Sequence, residues 1–537
     1  MARTSIVSAP RTTRVALRNS RPLKLLFINV CLRKHAIKIL PVGLGAVMTY
    51  VRGHGHPDIE LLDVDIGELE DATVEEHLRR HRYDVILYGS IVTHYKWVKW
   101  LTHTIRRLQP ETRIVVGNSV AGSCPEVFMA NAPADVVVIG EGEQTCLATL
   151  DALRDGGSLA DVEGIAFRAP DGGITRTPAR AACDINELPM IDWSFFDTEA
   201  YLRRSQGTSF GVENADARAV VTIPVSTARG CVFRCTFCHF VFNNDPYRYR
   251  TPQSVLAEIK CAIERYGANY INFWDDLSFA SIPQTERMVD AILASGLHFD
   301  WSAAIRSDLF GKPKFPYAKR LEVAKKMRAS GCRNVGFSLE SGNPEILKMM
   351  DKHIEPGYFT EQIAILREVG IASNTSVVFG YPIETPETIR ETFAMCLHNE
   401  VYPSIGYLMP LPGTGMYDYA KEKGFITDED RYLTDITERQ DFTLNLTSMS
   451  VEEVNGHIKN GAAMLNKALE LGLTEDRYIR TGGVKKHTNI KGQLRRAHPP
   501  LDPENMKRNE NDFSFNYSEA VFDVDLGLGE RSGGGRS

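Results

Sequence analysis

A chain of 537 residues is long for one hydrophobic core, so two or three domains are expected. An apolar share of 43% and a charged share of 24% are those of a soluble globular protein, and a net charge of -6 gives no reason to expect nucleic-acid or membrane-surface binding. No run of about 18 apolar residues occurs, which argues against a membrane span.

Residues 1–22 carry Arg3, Arg11, Arg14, Arg18 and Arg21 without an acid. This reads as a disordered leader rather than a transit peptide, because no amphipathic apolar face accompanies the arginines. Residues 23–160 alternate short apolar runs with helix patterns. The runs are Leu23–Val30, Ile59–Val64, Val85–Tyr88, Arg113–Val116 and Val136–Ile139. Short Val/Ile/Leu strands between helices predict a parallel sheet buried on both faces, a doubly wound, Rossmann-like α/β domain whose ligand lies beyond the strands' carboxyl ends. Periodicity fades over residues 161–215, where Pro170, Gly172, Gly173, Pro178 and Pro189 interrupt it, and this stretch reads as a linker. Residues 216–424 repeat strand then helix six times. The strands are Thr222–Thr227, Tyr270–Trp274, Asp300–Ile305, Val335–Leu339, Ser373–Phe379 and Ile405–Met409, which predicts a partial (β/α)6 barrel with its chemistry at the strands' carboxyl ends. Residues 425–496 are mainly helical, with Ser450 as N-cap and Glu453 three residues on, and residues 497–537 read as a disordered tail.

Seven of the ten cysteines are scattered singly, with no export signal, so they read as free thiols of a cytoplasmic protein. The other three sit in Arg229-Gly-Cys231-Val-Phe-Arg-Cys235-Thr-Phe-Cys238-His-Phe240, just after the first strand of the second block. Ten randomly placed cysteines would give this spacing roughly 0.003 times. Clustered thiolates select zinc, copper(I) or an iron–sulfur cluster. Structural zinc takes four protein ligands, and His239 is too close in sequence to Cys238 to reach the same ion. A 4Fe–4S cluster on Cys231, Cys235 and Cys238 instead leaves one iron open to an exogenous ligand.

The loop resembles the C-x-x-x-C-x-aromatic-C signature of the radical S-adenosylmethionine (SAM) superfamily, with Phe237 at the aromatic position, and the six strand–helix units resemble its partial barrel. The resemblance implies that SAM chelates the open iron and is cleaved to a 5′-deoxyadenosyl radical, with Phe237 near the adenine. It also implies an electron donor such as flavodoxin or ferredoxin. Asp275 and Asp276 end the second strand where many members have Gly-Gly-Glu, a departure that leaves open which acid meets the SAM ammonium. By the same likeness Arg306 could pair with the SAM carboxylate, Glu340 could take a ribose or amino contact, and Asn374 with Gly380 lies near the adenine. The reading against each acid is a salt bridge at the barrel rim.

In the first block Gly89-Ser-Ile-Val-Thr93, Gly117-Asn-Ser119 and Gly140-Glu-Gly-Glu143 follow three successive strands, leaving room for a large ligand across the sheet edge. Upstream of such a barrel this pattern resembles the cobalamin-binding domain of the cobalamin-dependent subgroup. It implies that Ser90, Thr93, Gly117, Gly140, Glu141, Gly142 and Glu143 surround the dimethylbenzimidazole tail. The D-x-H-x-x-G element that supplies a lower cobalt ligand is absent: Arg33 and Lys38 flank His35 where Asp and Gly should stand, so His35 reads as an ordinary loop histidine. The bland alternative is a flavodoxin-like domain for protein contacts.

Both cofactors together imply methylation of an unactivated carbon, or of a phosphinate phosphorus, by methylcobalamin and a substrate radical, with a small-molecule substrate held between the domains. The alternative keeps the cofactors and performs a radical rearrangement, cyclisation or oxidation without methyl transfer. A non-catalytic cobalamin or redox sensor is the remaining class.

Overall fold

The computed structural model describes residues 21–479, apart from Arg33 and residues 35–37, 206–219, 240–241 and 243–244. The leader, the tail and His35 therefore lie outside the described residues, save the last of the leader. The first sheet contains β1 (Leu25–Asn29), β2 (Ile59–Asp63), β3 (Val85–Gly89), β4 (Arg113–Gly117), β5 (Val136–Val138), β6 (Ile165–Arg168) and β7 (Ile174–Arg176). Their spatial order is β2-β1-β3-β4-β5-β6-β7, parallel through β5 and antiparallel beyond it. The reversal of order places the topological switch between β1 and β3. Alternate residues of one strand serve opposite cores. Leu25 and Phe27 face one apolar cluster, Leu26 and Ile28 the other, so both faces are dry as the unbroken apolar runs require.

The stretch read as a linker is a correction. Residues 165–176 form a hairpin that extends the sheet, although only three or four residues per strand pair, too few for their alternation to stand out. Further on, Trp193, Phe196 and Tyr201 join the core shared with the barrel. A Cβ on Gly45 would come 2.7 Å from Ile191 and 3.0 Å from Trp193, so this glycine lets the helix Val42–Gly53 receive the incoming chain.

The second block begins with β8 (Thr222–Val225), then a two-residue antiparallel ribbon, β9 (Ala228–Arg229) with β10 (Arg248–Tyr249). That ribbon closes the base of the cysteine loop and was not expected. The barrel continues with β11 (Tyr270–Phe273), β12 (Asp300–Ala304), β13 (Cys332–Gly336), β14 (Ala372–Asn374), β15 (Ser376–Phe379) and β16 (Ser404–Tyr407). β8, β11, β12, β13 and β14 pair in that order and β15 pairs β16, all parallel. A bridge from Glu340 to Val377 joins the two groups, and β14 and β15 are one strand interrupted at Thr375. The six expected strand positions are thus all present.

Helices cover the barrel's outer face, several opened by Pro within the first turn and closed by a left-handed Gly, as at Gly267 and Gly296. The C-terminal helix Val451–Ala468 carries the expected capping box, Ser450 with Glu453. It lies against helix Pro386–His398 so closely that a Cβ on Gly461 would sit 2.1 Å from the Phe393 ring. Among the described residues no helix is long and apolar enough to cross a membrane.

Candidate functional site

The cysteine loop is fastened at both ends before any ligand is considered. Asp275, at the end of β11, accepts hydrogen bonds from Thr227 N (2.8 Å), Thr227 Oγ1 (2.6 Å), Ala228 N (3.0 Å) and Ser226 Oγ (3.1 Å). Burial pushes its carboxyl pKa up while those donors pull the other way, which is the signature of a structural clamp on the strand-to-loop turn. Gly230 then turns the chain at φ +81 into Cys231. Within the loop Thr236 N donates to Met350 O (2.9 Å), Thr236 Oγ1 to Met349 O (3.0 Å), and Met416 N to Thr236 O (2.9 Å). Burial pushes the Cys235 and Cys238 thiols up, and each feels the charge of its neighbouring cysteine. Among the described residues no three His, Cys, Asp or Glu side chains close on one shared ion. The thiols of a cubane bind separate irons and stand wider apart than the ligands of a single zinc.

Around the loop the expected residues divide into two groups. Asp276 is the acid left beside the thiols; burial and the neighbouring Asp275 push its pKa up to about 6. Glu340 is buried at φ +64 and pairs with Lys352 Nζ at 2.9 Å. Phe237 meets Tyr381 edge to face at 6.3 Å, beside Gly380, whose φ of +101 suits only glycine. Asn374 sits at the end of β14 and its carbonyl accepts from Phe337 N (3.0 Å). Arg306 is engaged within the protein. Its guanidinium holds Asp308 at 2.8 Å, donates to His353 O at 3.2 Å and covers the ring of Phe233 at 3.3 Å from the centroid. It therefore braces the cysteine loop through Phe233, and its charge also reaches Cys235.

Lys352 is the cation sequence reading missed. It is mostly buried, 14% exposed, beside Glu340 and Cys235, and their charges raise its pKa against the opposing effect of burial. Asp351 at φ +53 and His353 at φ +52 hold it in a strained turn. Twelve residues of sequence separate it from Glu340, with no local pattern linking them. The set of three thiols, an acid at Asp276 and a Lys–Glu pair fits a cluster plus a ligand carrying both an ammonium and a carboxylate.

At the first sheet's carboxyl edge, Ser90 Oγ is buried without a hydrogen-bond partner, immediately beside the switch between β1 and β3. A Cβ on Gly89 would come 2.7 Å from Gly117 O, whereas around Gly140 nothing lies within 4 Å. An orphaned hydroxyl and small strand ends fit a large polar ligand at this edge. Thr93 lies in the short turn Val92–His94 that follows. Gly142 opens the next helix, its missing Cβ leaving room for Val47 at 2.8 Å. Glu141 and Glu143 turn instead toward the barrel. Glu141 binds Arg229 (3.0 Å) and Arg248 (2.7 Å), and Glu143 binds Arg229. These arginines overcome burial and hold the Glu141 carboxyl down at about 2. His239 Nε2 meets Ser123 Oγ at 2.9 Å.

The two edges thereby face one another, and a cavity between the domains is lined by Ile39, Leu40, Tyr201, Thr222, Pro224 and Asn272. The barrel's inner face is polar. Ile271, Trp301 and Val335 point out into the helix-covered core, so Asn272, Ser302 and Asn334 point inward, in one registered row across β11, β12 and β13. Ser302 Oγ donates to Asn272 Oδ1 at 3.2 Å, while Asn334 Oδ1 is buried without a partner. Tyr407 and Tyr417 are buried and engaged with Asn455 and Glu429.

Residues 29–150 match the B12 binding domain and residues 225–396 the Radical SAM superfamily. A protein of Pyrococcus horikoshii described as an uncharacterized methyltransferase is 25% identical over 384 residues, covering 71% of this chain and 78% of its own. Anaerobic magnesium-protoporphyrin IX monomethyl ester cyclase of Rubrivivax gelatinosus is 23% identical over 400 residues, 73% of this chain and 68% of its own. The structure of OxsB, a cobalamin-dependent SAM radical enzyme with aqua-cobalamin and SAM bound, superposes with a TM-score of 0.60 at 17% identity. That match covers 80% of this chain but 58% of OxsB, and what it shares is the fold.

Proposed function

This chain carries a B12-binding domain followed by a radical SAM domain, and we propose that it methylates an unactivated carbon, or a phosphinate phosphorus, of a small polar molecule. The observation that carries the proposal is the meeting of the two carboxyl-terminal edges, joined by Arg229 to Glu141 and by His239 to Ser123. When bound, the cluster with SAM supplies a 5′-deoxyadenosyl radical and cobalamin supplies a transferable methyl group. The protein's part is placement. Cys231, Cys235 and Cys238 hold the cluster. Lys352 meets the SAM carboxylate and Asp276 its ammonium, while Glu340 reaches the ribose or amino group. Phe237, Gly380 and Asn374 border the adenine, and Ser90 offers its hydroxyl to the cobalamin tail. The row of Asn272, Ser302 and Asn334 orients a hydrogen-bonding substrate, since a hydrocarbon there would leave the amide oxygen of Asn334 unsatisfied. A flavodoxin or ferredoxin supplies the electron, and the cytoplasm, which keeps the scattered thiols reduced, is the compartment.

The cyclase relative favours a second reading, radical rearrangement, cyclisation or oxidation without methyl transfer. Products separate the two. Chain reconstituted without oxygen with iron, sulfide and hydroxocobalamin is given methyl-labelled SAM, a reductant and candidate polar acceptors. Methyl transfer gives S-adenosylhomocysteine and 5′-deoxyadenosine in equal amounts, with label in the product. 5′-Deoxyadenosine with unlabelled product points to the second reading, and failure to form any points to a sensor.

A further inference from the structure

The cysteine loop is bridged to the first domain on both flanks. On the side of Cys231, Arg229 reaches Glu141 and Glu143, and its register partner Arg248 joins Glu141 and also donates to Cys183 O at 2.7 Å. Glu141 completes the set by accepting from Cys183 N at 3.0 Å. The side chains of Arg229, Arg248, Glu141 and Glu143 are only 13%, 16%, 9% and 6% exposed. Two positive and two negative charges so buried are tolerable only together, because separating the domains leaves each to be paired anew. On the side of Cys238, His239 meets Ser123. Ser123 follows β4 and Glu141 follows β5, so both bridges end on loops at the edge where Ser90 and Gly117 lie.

We infer that Arg229 and His239 are positioning residues that fasten the two ends of the cysteine loop to the cofactor edge of the B12-binding domain, so that cobalamin binding and the presence of the cluster favour each other. A ligand that orders the loops after β4 and β5 orders the cysteine loop through these bridges, and the cluster does the reverse. The coupling is the same whichever reaction the enzyme performs. Neither residue touches the reacting atoms.

The test compares hydroxocobalamin affinity, by equilibrium dialysis without oxygen, for full-length chain holding its reconstituted cluster and for the C231A/C235A/C238A chain. The cluster-bearing chain binds more tightly, by about fivefold or more. In E141Q/E143Q and, separately, in S123A, that ratio falls toward one. Any direct effect of the substitutions on cobalamin cancels in the ratio, and Ser123→Ala removes only one hydrogen bond, so it reads the coupling even where the charge variant fails to fold. Arg229→Lys keeps part of the ratio because it keeps the charge. The electron paramagnetic resonance spectrum of the reduced cluster shifts on adding hydroxocobalamin to the wild type and shifts less in these variants. Equal affinities in the wild-type comparison overturn the inference, as does a full ratio in S123A combined with E141Q/E143Q.

Discussion

At the scale of single residues, chemistry concentrates where side chains are buried against their preference. Lys352 sits beside Glu340 and Cys235, and their charges hold its pKa up against the cost of burial. Lys352→Met is expected to weaken SAM binding at least tenfold while leaving iron content intact, and Lys352→Arg to recover part of it; anaerobic titration of SAM checks both. Unchanged affinity in Lys352→Met removes the residue from the site. Glu384 behaves oppositely to Glu141. It accepts from Gly380 N (3.1 Å) and Thr388 Oγ1 (2.6 Å), yet burial pushes its pKa up to about 7. The folded state therefore holds a proton that the unfolded chain releases near 4.5. Stability contributed by Glu384 is present below that value and declines as pH rises toward 7. Glu384→Gln is expected to flatten this decline, seen in denaturant midpoints across pH 4.5 to 7.5. The cysteine triad was legible from spacing alone, because a cluster ligand loop is local. Lys352 was not, because only the barrel's closure brings it to the cysteines.

Among elements, close approach outweighs intrinsic propensity. Gly461 lies within the helix Val451–Ala468, where Ala is intrinsically favoured by about 1 kcal/mol. A Cβ there meets the Phe393 ring at 2.1 Å, and overpacking typically costs about 1–3 kcal/mol. Gly461→Ala is accordingly expected to destabilise, and a rise in urea midpoint would refute the tight contact. At the same helix's start Ser450→Ala removes a capping box and is expected to cost about 1 kcal/mol by the same measurement. The cap was readable because it depends on residues three apart. The hairpin of β6 and β7 was obscured by its short strands and by the glycine and proline residues around it, and only pairing with β5 gives it a place.

For the whole molecule the decisive feature is that two domains share one core and one ionic interface. Glu141, held at about 2, contributes stability that is fully present above the ordinary carboxylate value of 4.5 and is lost as pH falls toward 2. Glu141→Gln is expected to destabilise at neutral pH by about 3–5 kcal/mol, leaving two buried arginines short of charge, and to lose less further stability on acidification. Acid titrations followed by circular dichroism measure both effects. The order of strands and helices, the doubly wound and barrel classes, and the thiol loop were determined by the sequence itself, since each rests on periodicity or spacing between near neighbours. The tertiary structure alone decided that Arg306 braces Phe233, that Asp275 clamps a turn, and that Glu141 and Glu143 face the barrel. Those outcomes depend on which groups meet across 47 to 107 residues of sequence, and a buried charge takes whichever partner the packing of the domains places within reach.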